Sequence, residues 1–197
     1  AELHCHSNFS FQEGASSIRE LVTRAHDLGY PALALTDHDN LCGAMEFAQW
    51  AGRLGVRPIT GVEVTLQGAS ARSRSEAQAR SSTRSESNSS PGHMTLLATS
   101  ATGYSNVSRL LSLGYATSER RDPKIDPRLL PEHAEGVIAL SGCARGPIPE
   151  ALVQGQFAEA KALAVQCVEW YGEGNFYLEL QQNLVHGDTL RNRRLVA

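Results

Sequence analysis

Short apolar runs alternate with amphipathic segments along most of the chain. Six runs have the length and composition of β-strands: AELHCH (1–6), ALALT (32–36), PITGVEVTL (58–66), HMTLLATS (93–100), GVIALSGC (136–143) and NFYLELQ (175–181). Strands that alternate with helices form βαβ units. The pattern therefore predicts an α/β fold with a parallel sheet, either open or closed into a barrel.

The segments between these runs carry helix signals. Ser17 and Glu20 have capping-box spacing and Gly29 follows the last apolar position, so a helix is predicted between Ser17 and Gly29. A second helix is predicted from about Leu41 to a stop at Gly55. Further helices are predicted around 104–113, over 157–171 and from Asp188 onward.

Residues 67–92 interrupt this alternation. They are almost entirely Ser, Ala, Arg, Glu, Gln, Asn and Gly, without hydrophobic periodicity. Such a segment buries too little apolar area to offset the entropy cost of ordering. We therefore predict a flexible, low-complexity insertion within a single domain that spans 1–197. Its arginines could contact a phosphate backbone, but a solubilising role is favoured.

Composition indicates the size, the compartment and the redox state of the protein but not its function. The chain has 197 residues, 41% of them hydrophobic, which is enough for one domain with its own core. A net charge of -3 provides no global attraction for nucleic acid. No signal peptide and no apolar run of about 20 residues is visible, so a cytoplasmic protein without a membrane partner is expected. The four cysteines lack CxxC spacing, and a disulfide framework is not expected.

Seven side chains that can bind metal recur at turns, mostly where an apolar run ends. They are His4, His6, Glu13, His38, Glu63, His93 and Cys143. The carboxyl ends of parallel strands meet at one side of a sheet or barrel, so these groups are expected to share a pocket. His93 is the exception because it stands at the start of its run, ahead of the apolar residues, and spacing alone supports a ligand and a loop residue equally.

The mixture of ligand types indicates which ions fit. His4 and His6 lie on the same face of a strand because one residue separates them. Ionisable groups that were buried together without a cation would be costly. Nitrogen, carboxylate and thiolate ligands suit Zn²⁺, Mn²⁺ or Fe²⁺ rather than Ca²⁺. Seven candidates exceed one tetrahedral shell, so we predict two or three divalent ions and phosphoester hydrolysis.

Asp37 and Arg145 are candidate catalytic residues. Asp37 fits a metal ligand or a partner that orients a histidine, and it fits a helix cap equally well. Arg145 fits bidentate binding of a substrate phosphate about as well as a surface role. Asp39 is interpreted as a cap or a solvated turn residue. GxSxG, Walker and GxGxxG motifs are absent from the sequence. Cys143 as a nucleophile stays an alternative without a visible base.

Several segments resemble the PHP (polymerase and histidinol phosphatase) domain at the amino terminus of bacterial C-family DNA polymerases. The resemblance is carried by AELHCHSNFSFQEGAS, ALALTDHDNLCGAMEF, PITGVEV, HMTLLATSATGYSNVSRL, HAEGVIALSGCARG and FYLELQ. It covers nearly the whole chain outside residues 67–92. Among these polymerases, the chain is most similar to the error-prone, translesion type of alpha subunit.

The resemblance implies a distorted (β/α)7 barrel that holds up to three metal ions with nine ligands. It implies that His4 and His6 are the first ligand pair and that Glu13 takes the place usually held by Asp. It also implies that His38 is the ligand of the TDH motif and that Glu63 is the bridging carboxylate. His93 would be the ligand before the fourth strand, and Cys143 the ligand of the SGC motif. The family's final Asp-x-His does not occur before Ala197. The last strand of the barrel and two ligands are therefore expected to be missing from this chain.

The resemblance also implies a function. PHP domains of this class include metal-dependent 3′–5′ exonucleases and catalytically silent members that stabilise the polymerase. We expect a metal-dependent phosphoesterase of the exonuclease type that acts on DNA in replication or repair. Its expected partners are DNA, the polymerase core domains, and replication or repair subunits. The alternatives are a silent scaffold and a stand-alone phosphatase for small phosphate monoesters.

Overall fold

The computed structural model describes residues 1–68, 92–120 and 122–196. Within these ranges, five strands form one sheet in the order β1-β2-β3-β4-β5. The strands are β1 (Ala32–Leu35), β2 (Arg57–Leu66), β3 (Gly92–Ala98), β4 (Val137–Leu140) and β5 (Phe176–Tyr177). The described α-helices are α1 (Ile18–Asp27), α2 (Ala44–Leu54), α3 (Ala101–Thr117), α4 (Pro147–Val153), α5 (Phe157–Tyr171) and α6 (Asp188–Val196).

The sheet is mixed rather than fully parallel. β1 pairs with β2 in parallel and β4 pairs with β5 in parallel, whereas β3 is antiparallel to both β2 and β4. The α/β class is confirmed, but the expectation of a fully parallel sheet is wrong for β3. The described residues between β2 and β3 contain no helix, and an antiparallel neighbour needs no crossover helix. The sheet stays open between β1 and β5, as in an incomplete barrel.

Two predicted strands are much shorter than the sequence indicates. AELHCH forms only an isolated parallel bridge between Glu2 and Leu33. It is held beside β1 by two backbone hydrogen bonds, from Ala34 to Glu2 (2.8 Å) and from Thr36 to Cys5 (2.9 Å). NFYLELQ forms only the two residues of β5, which pair with β4 alone. Among the described strands, both segments therefore have a sheet partner on one side only.

Local helix signals are matched closely. Ser17 caps α1 with the reciprocal Glu20 contact of a capping box, and Gly55 ends α2 with a φ of 70°. The α5 bounds are those predicted. The sequence analysis did not predict α4, which contains two prolines. Both lie in its first turn, where proline is tolerated because the N–H groups have no helical partner.

Helices α1, α2, α3 and α5 pack against the sheet, and alternation along β2 separates this core from the opposite face. Val62 and Val64 pack with Leu96 of β3 and Leu110 of α3 in the largest apolar cluster. Since successive side chains point to opposite faces, Glu63 is directed away from this cluster. Helices α1 and α2 pack on β1 in a second cluster.

The predicted insertion at 67–92 lies almost wholly outside the described residues. Gln67 and Gly68 form a turn, and Gly92 already belongs to β3. In the described parts of the chain, no helix is both long and apolar enough to cross a membrane.

Candidate metal centre

Glu63 lies at the centre of four histidines. Its side chain is only 1% exposed. One carboxylate oxygen, Oε1, lies 3.3 Å from Nε2 of His4. The other, Oε2, lies 2.9 Å from Nδ1 of His38, 3.1 Å from Nδ1 of His93 and 3.6 Å from Nε2 of His6. One buried carboxylate therefore contacts imidazoles that are up to 89 positions apart along the sequence, from His4 to His93.

The tertiary fold brings these histidines together from three segments. His4 and His6 lie on the segment beside β1, and His38 follows β1 in a parallel bridge with Glu63. His93 is the second residue of β3 and pairs with Thr65. The prediction that His93 precedes its strand is thus wrong. Because β3 is antiparallel to β2, its amino end lies beside the carboxyl end of β2, where Glu63 is found.

Among the described residues, two groups of three have ligand atoms close enough for one ion each. They are His4, His6 and Glu63, and His38, Glu63 and His93, with the ligand atoms of each group within 4.8 Å of one another. Nε2 of His6 and Oε1 of Glu63 are buried and have no hydrogen-bond partner among the described residues. Buried polar atoms without partners cost about 1–3 kcal/mol each. A divalent cation would satisfy both atoms, so the residues present fit a metal ion.

The charges in the cluster are strongly coupled. Burial alone would raise the pKa of Glu63, but contacts with His38, His4 and His93 outweigh it and hold that pKa well below its usual range. Burial disfavours the charged form of His4, yet contacts with Glu179 and Glu63 raise its pKa to about 9. For His6, burial dominates and lowers the pKa. Metal binding must displace protons here, since imidazole binds metal in its neutral form.

Glu13 and Arg145 form an ion pair at the rim of the cluster. Oε2 of Glu13 lies 3.6 Å from Nδ1 of His6 and 3.9 Å from Nδ1 of His38. Burial would raise the pKa of Glu13, but the Arg145 guanidinium outweighs it and lowers that pKa. A cavity of about 270 Å³ opens beside this pair and reaches Cys143.

Cys143 lies in the same region. Its Sγ is 4.0 Å from Nδ1 of His93. Burial and the nearby Glu63 charge raise the pKa of the Cys143 thiol to about 11. The thiol is therefore the favoured form without a metal ion, which argues against a thiolate nucleophile. A bound cation would favour the thiolate as a ligand.

Asp37 contacts the loop between His6 and Glu13 and not the described histidine rings. Its Oδ1 accepts hydrogen bonds from the Ser7 N–H (2.7 Å) and the Ser10 hydroxyl (2.6 Å), and its Oδ2 accepts one from the Ser7 hydroxyl (2.7 Å). The carboxylate thus ties the loop to the end of β1. The contacts assign Asp37 to holding the segment that carries two candidate ligands.

The interpretation of Asp39 as a cap or a solvated turn residue is wrong. Its side chain is buried and accepts hydrogen bonds from the Thr65 N–H (2.8 Å) and the Thr65 hydroxyl (2.6 Å). Oδ2 also lies 3.1 Å from Nε2 of His38. Asp39 therefore contacts the ring nitrogen of His38 that faces away from Glu63.

Sequence reasoning missed three polar residues around His4. Nδ1 of His4 lies 2.8 Å from Oε1 of Glu179 and 3.1 Å from both the Thr95 hydroxyl and the Gln181 amide nitrogen. A signal was present, since Glu179 and Gln181 are alternate positions at the end of a strand-like run. The same pattern drew attention to His4 and His6.

Comparison with known proteins identifies a family and several relatives that match this sequence. The model for the PHP domain family matches residues 2–183. The error-prone DNA polymerase of Symbiobacterium thermophilum is 38% identical over 209 residues, which cover 98% of this chain and 17% of that protein. The DNA polymerase III subunit alpha of Treponema pallidum is 38% identical over 181 residues, which cover 92% of this chain and 15% of that protein.

The chain thus spans less than a fifth of the length of these relatives, which are polymerases or polymerase subunits. Among solved structures, a protein assigned provisionally as a metal-dependent phosphoesterase from Bifidobacterium adolescentis has a TM-score of 0.40 at 23% identity. That alignment covers 58% of this chain and 32% of the other.

Proposed function

Because this chain belongs to the PHP domain family, we propose that it is a metal-dependent phosphoesterase domain of the 3′–5′ exonuclease type. The observation that carries the proposal is the position of Glu63, whose carboxylate is shared by two groups of candidate ligands. Two ions that share a carboxylate are a common arrangement in enzymes that cleave phosphate esters. The proposal includes Asp37 and Arg145 as residues that support the chemistry.

Each ligand group has a separate role. His4 and His6 would hold one ion with Glu63, and His38 and His93 would hold a second. Nitrogen and carboxylate ligands suit Zn²⁺, Mn²⁺ or Fe²⁺. When bound, such ions polarise a phosphate ester and lower the pKa of a water. The proposed further ligands are Glu13 and Cys143, whose ligand atoms lie 3.6 Å from His6 and 4.0 Å from His93.

The proposed role of Arg145 is to bind the substrate phosphate. Its side chain is 54% exposed, and its guanidinium is held at the mouth of the cavity by Glu13. A planar guanidinium can donate two parallel hydrogen bonds to phosphate oxygens. Asp37 positions the loop that carries His6 and Glu13, so its contribution to catalysis would be indirect.

DNA is the proposed substrate because the relatives quoted above are DNA polymerases or their subunits. We infer that the domain belongs to a longer C-family polymerase of the error-prone type, since the error-prone polymerase of Symbiobacterium thermophilum is 38% identical over 98% of the chain. Its partners would be DNA, the polymerase core domains, and replication or repair subunits in the cytoplasm.

The test combines metal analysis with a 3′-exonuclease assay. The purified chain is loaded with Mn²⁺ or Zn²⁺ and mixed with 5′-labelled single-stranded DNA. We expect metal-dependent shortening from the 3′ end, reduced at least about a hundredfold by His4→Ala plus His6→Ala because one ligand group is removed. The control is His26→Ala, an exposed histidine on α1, which should leave the rate unchanged.

The other outcomes separate the alternatives. Hydrolysis of an aryl phosphate without shortening of DNA would identify a small-molecule phosphatase. Metal binding without hydrolysis of either substrate would identify a silent scaffold. Metal-free protein, or activity that the double histidine substitution does not change, would end the proposal of a metal-dependent enzyme.

A further inference from the structure

Glu179 contacts the ring nitrogen of His4 that does not face Glu63. It follows β5, and its side chain is only 12% exposed. Oε1 of Glu179 lies 2.8 Å from Nδ1 of His4. The other ring nitrogen of His4, Nε2, faces Oε1 of Glu63 at 3.3 Å. The two nitrogens of His4 therefore have different surroundings, one behind the proposed metal position and one facing it.

The contact with Glu179 determines where a neutral His4 carries its proton. An ionised carboxylate can only accept hydrogen bonds, so Nδ1 must supply the hydrogen. Nε2 then presents its lone pair toward Glu63 and the proposed ion. The amide nitrogen of Gln181 donates to the same Glu179 oxygen at 2.6 Å. The same amide nitrogen lies farther from Nδ1 of His4, at 3.1 Å, so Gln181 can donate to Glu179 while Nδ1 keeps its hydrogen.

The position of Glu179 is fixed by the backbone. Its N–H donates to the Ser141 hydroxyl at 2.9 Å, and the Ser141 N–H donates to the Tyr177 carbonyl at the same distance. Ser141 is 1% exposed and begins the SGC segment that also carries Cys143. Glu179 is thus attached to the strand end that bears another candidate ligand.

We propose that Glu179 is a positioning residue, which holds His4 in the tautomer whose Nε2 binds the ion shared with His6 and Glu63. The inference rests on the proposed metal centre. A carboxylate behind a metal-bound imidazole fixes the ring orientation and makes the ring a stronger ligand. Loss of such a partner typically weakens metal binding by about 10- to 100-fold. The effect should be confined to the ion bound by the His4 group.

The test compares Glu179→Gln with Glu173→Gln, a control at an exposed turn position after α5. Glutamine keeps the size of the side chain but removes the charge and can donate to Nδ1. Zn²⁺ affinity is measured by competition with a chromophoric chelator, and the state of the His4 ring is read from ¹⁵N NMR of the imidazole nitrogens. Each measurement is repeated in a His93→Gln background, where the His4 group should be the remaining site.

We expect the Glu179→Gln chain to bind one of two ions about 10- to 100-fold more weakly, with the other ion unchanged. The NMR signals of wild-type His4 should show a proton on Nδ1 and metal on Nε2, and this state should be mixed or lost in the variant. Glu173→Gln should match wild type. A thermal unfolding midpoint close to that of wild type separates positioning from a general loss of structure.

Other results overturn the inference in distinguishable ways. If wild type binds two ions and Glu179→Gln binds both with unchanged affinity, only the role of Glu179 fails. Equal weakening of both ions would also overturn it, because that result indicates a structural role. If wild type binds no ion, the proposed metal centre and the inference that rests on it both fail.

Discussion

Replacement of Glu63 by glutamine removes one negative charge from the centre of the histidine cluster while nearly preserving side-chain volume. Glu63 is 1% exposed and belongs to both candidate ligand groups. Each group would therefore fall from three candidate ligands to two. The amide also brings a donor toward imidazole nitrogens that should be free to bind metal. We expect both ions to be bound much more weakly.

The size of the effect follows from the number of ligands. Structural zinc sites in peptides contribute about 10–16 kcal/mol through four ligands, so one ligand corresponds to roughly 3 kcal/mol. This equals roughly a hundredfold increase in the dissociation constant. Because Glu63 is shared, the change should apply to each ion. His93→Gln should affect only the ion bound with His38, since His93 belongs to one group.

The assay is a titration of the dialysed chain with Zn²⁺ in the presence of a chelator of known affinity, with the number of bound ions checked by elemental analysis. Wild type should bind at least two ions. Glu63→Gln should weaken both, and His93→Gln should weaken one. Glu46→Gln, an exposed position on α2, is the charge-matched control and should behave as wild type.

Two results would refute the reasoning. Retention of two ions with wild-type affinity in Glu63→Gln would show that Glu63 is not a ligand. Loss of a single ion would show that its carboxylate is not shared between the groups. Circular dichroism spectra and thermal unfolding midpoints of the variants that match those of wild type would exclude a loss of structure as the cause of weak binding.

Three further predictions concern the surroundings of the site. In EDTA, the free energy of unfolding should fall by up to about 3 kcal/mol from pH 6.5 to 9, because the pKa of His4 is raised from 6.5 to about 9 in the folded chain. The stabilisation from protonated His4 is complete below the unfolded pKa of 6.5 and is lost as the pH rises through the folded pKa. Urea denaturation of wild type and His4→Gln measures it, and equal slopes would contradict the assignment to His4. Asp37→Ala should lower the free energy of unfolding by about 3 kcal/mol, since three hydrogen bonds to a buried carboxylate are lost, and an unchanged urea midpoint would contradict this. Replacement of residues 67–91 by Asn-Gly should leave the number of bound ions unchanged, because Leu66 and Gly92 already pair as neighbours across β2 and β3; elemental analysis would reveal any loss.

Five of the six described α-helices were predictable because their signals are local. The capping box of Ser17 and Glu20 and the left-handed stop at Gly55 depend on residues within one or two turns. The candidate ligands were also visible, since their residue types recur at the ends of apolar runs. Their roles in metal binding stay predictions, and the structure shows that the seven side chains lie in one region.

Other features depended on contacts between distant segments. The direction of β3 was not encoded in its own residues, since an apolar run has the same appearance in either orientation. Burial of Asp39 depended on Thr65 from β2, and the contact of Glu179 with His4 joins residues 175 positions apart. The residues next to Asp39 or Glu179 in the sequence do not indicate which distant residue each of them contacts.

The sequence by itself determined the α/β class, the presence of five of the six described α-helices and a set of candidate metal ligands, because periodicity, capping and residue chemistry act over short distances. Only the tertiary structure decided that β3 reverses direction, that His93 therefore meets Glu63, and that Glu179 lies behind His4. The physical reason is that strand pairing and the burial of charge are set by the partner across space, which neighbouring residues along the chain do not specify.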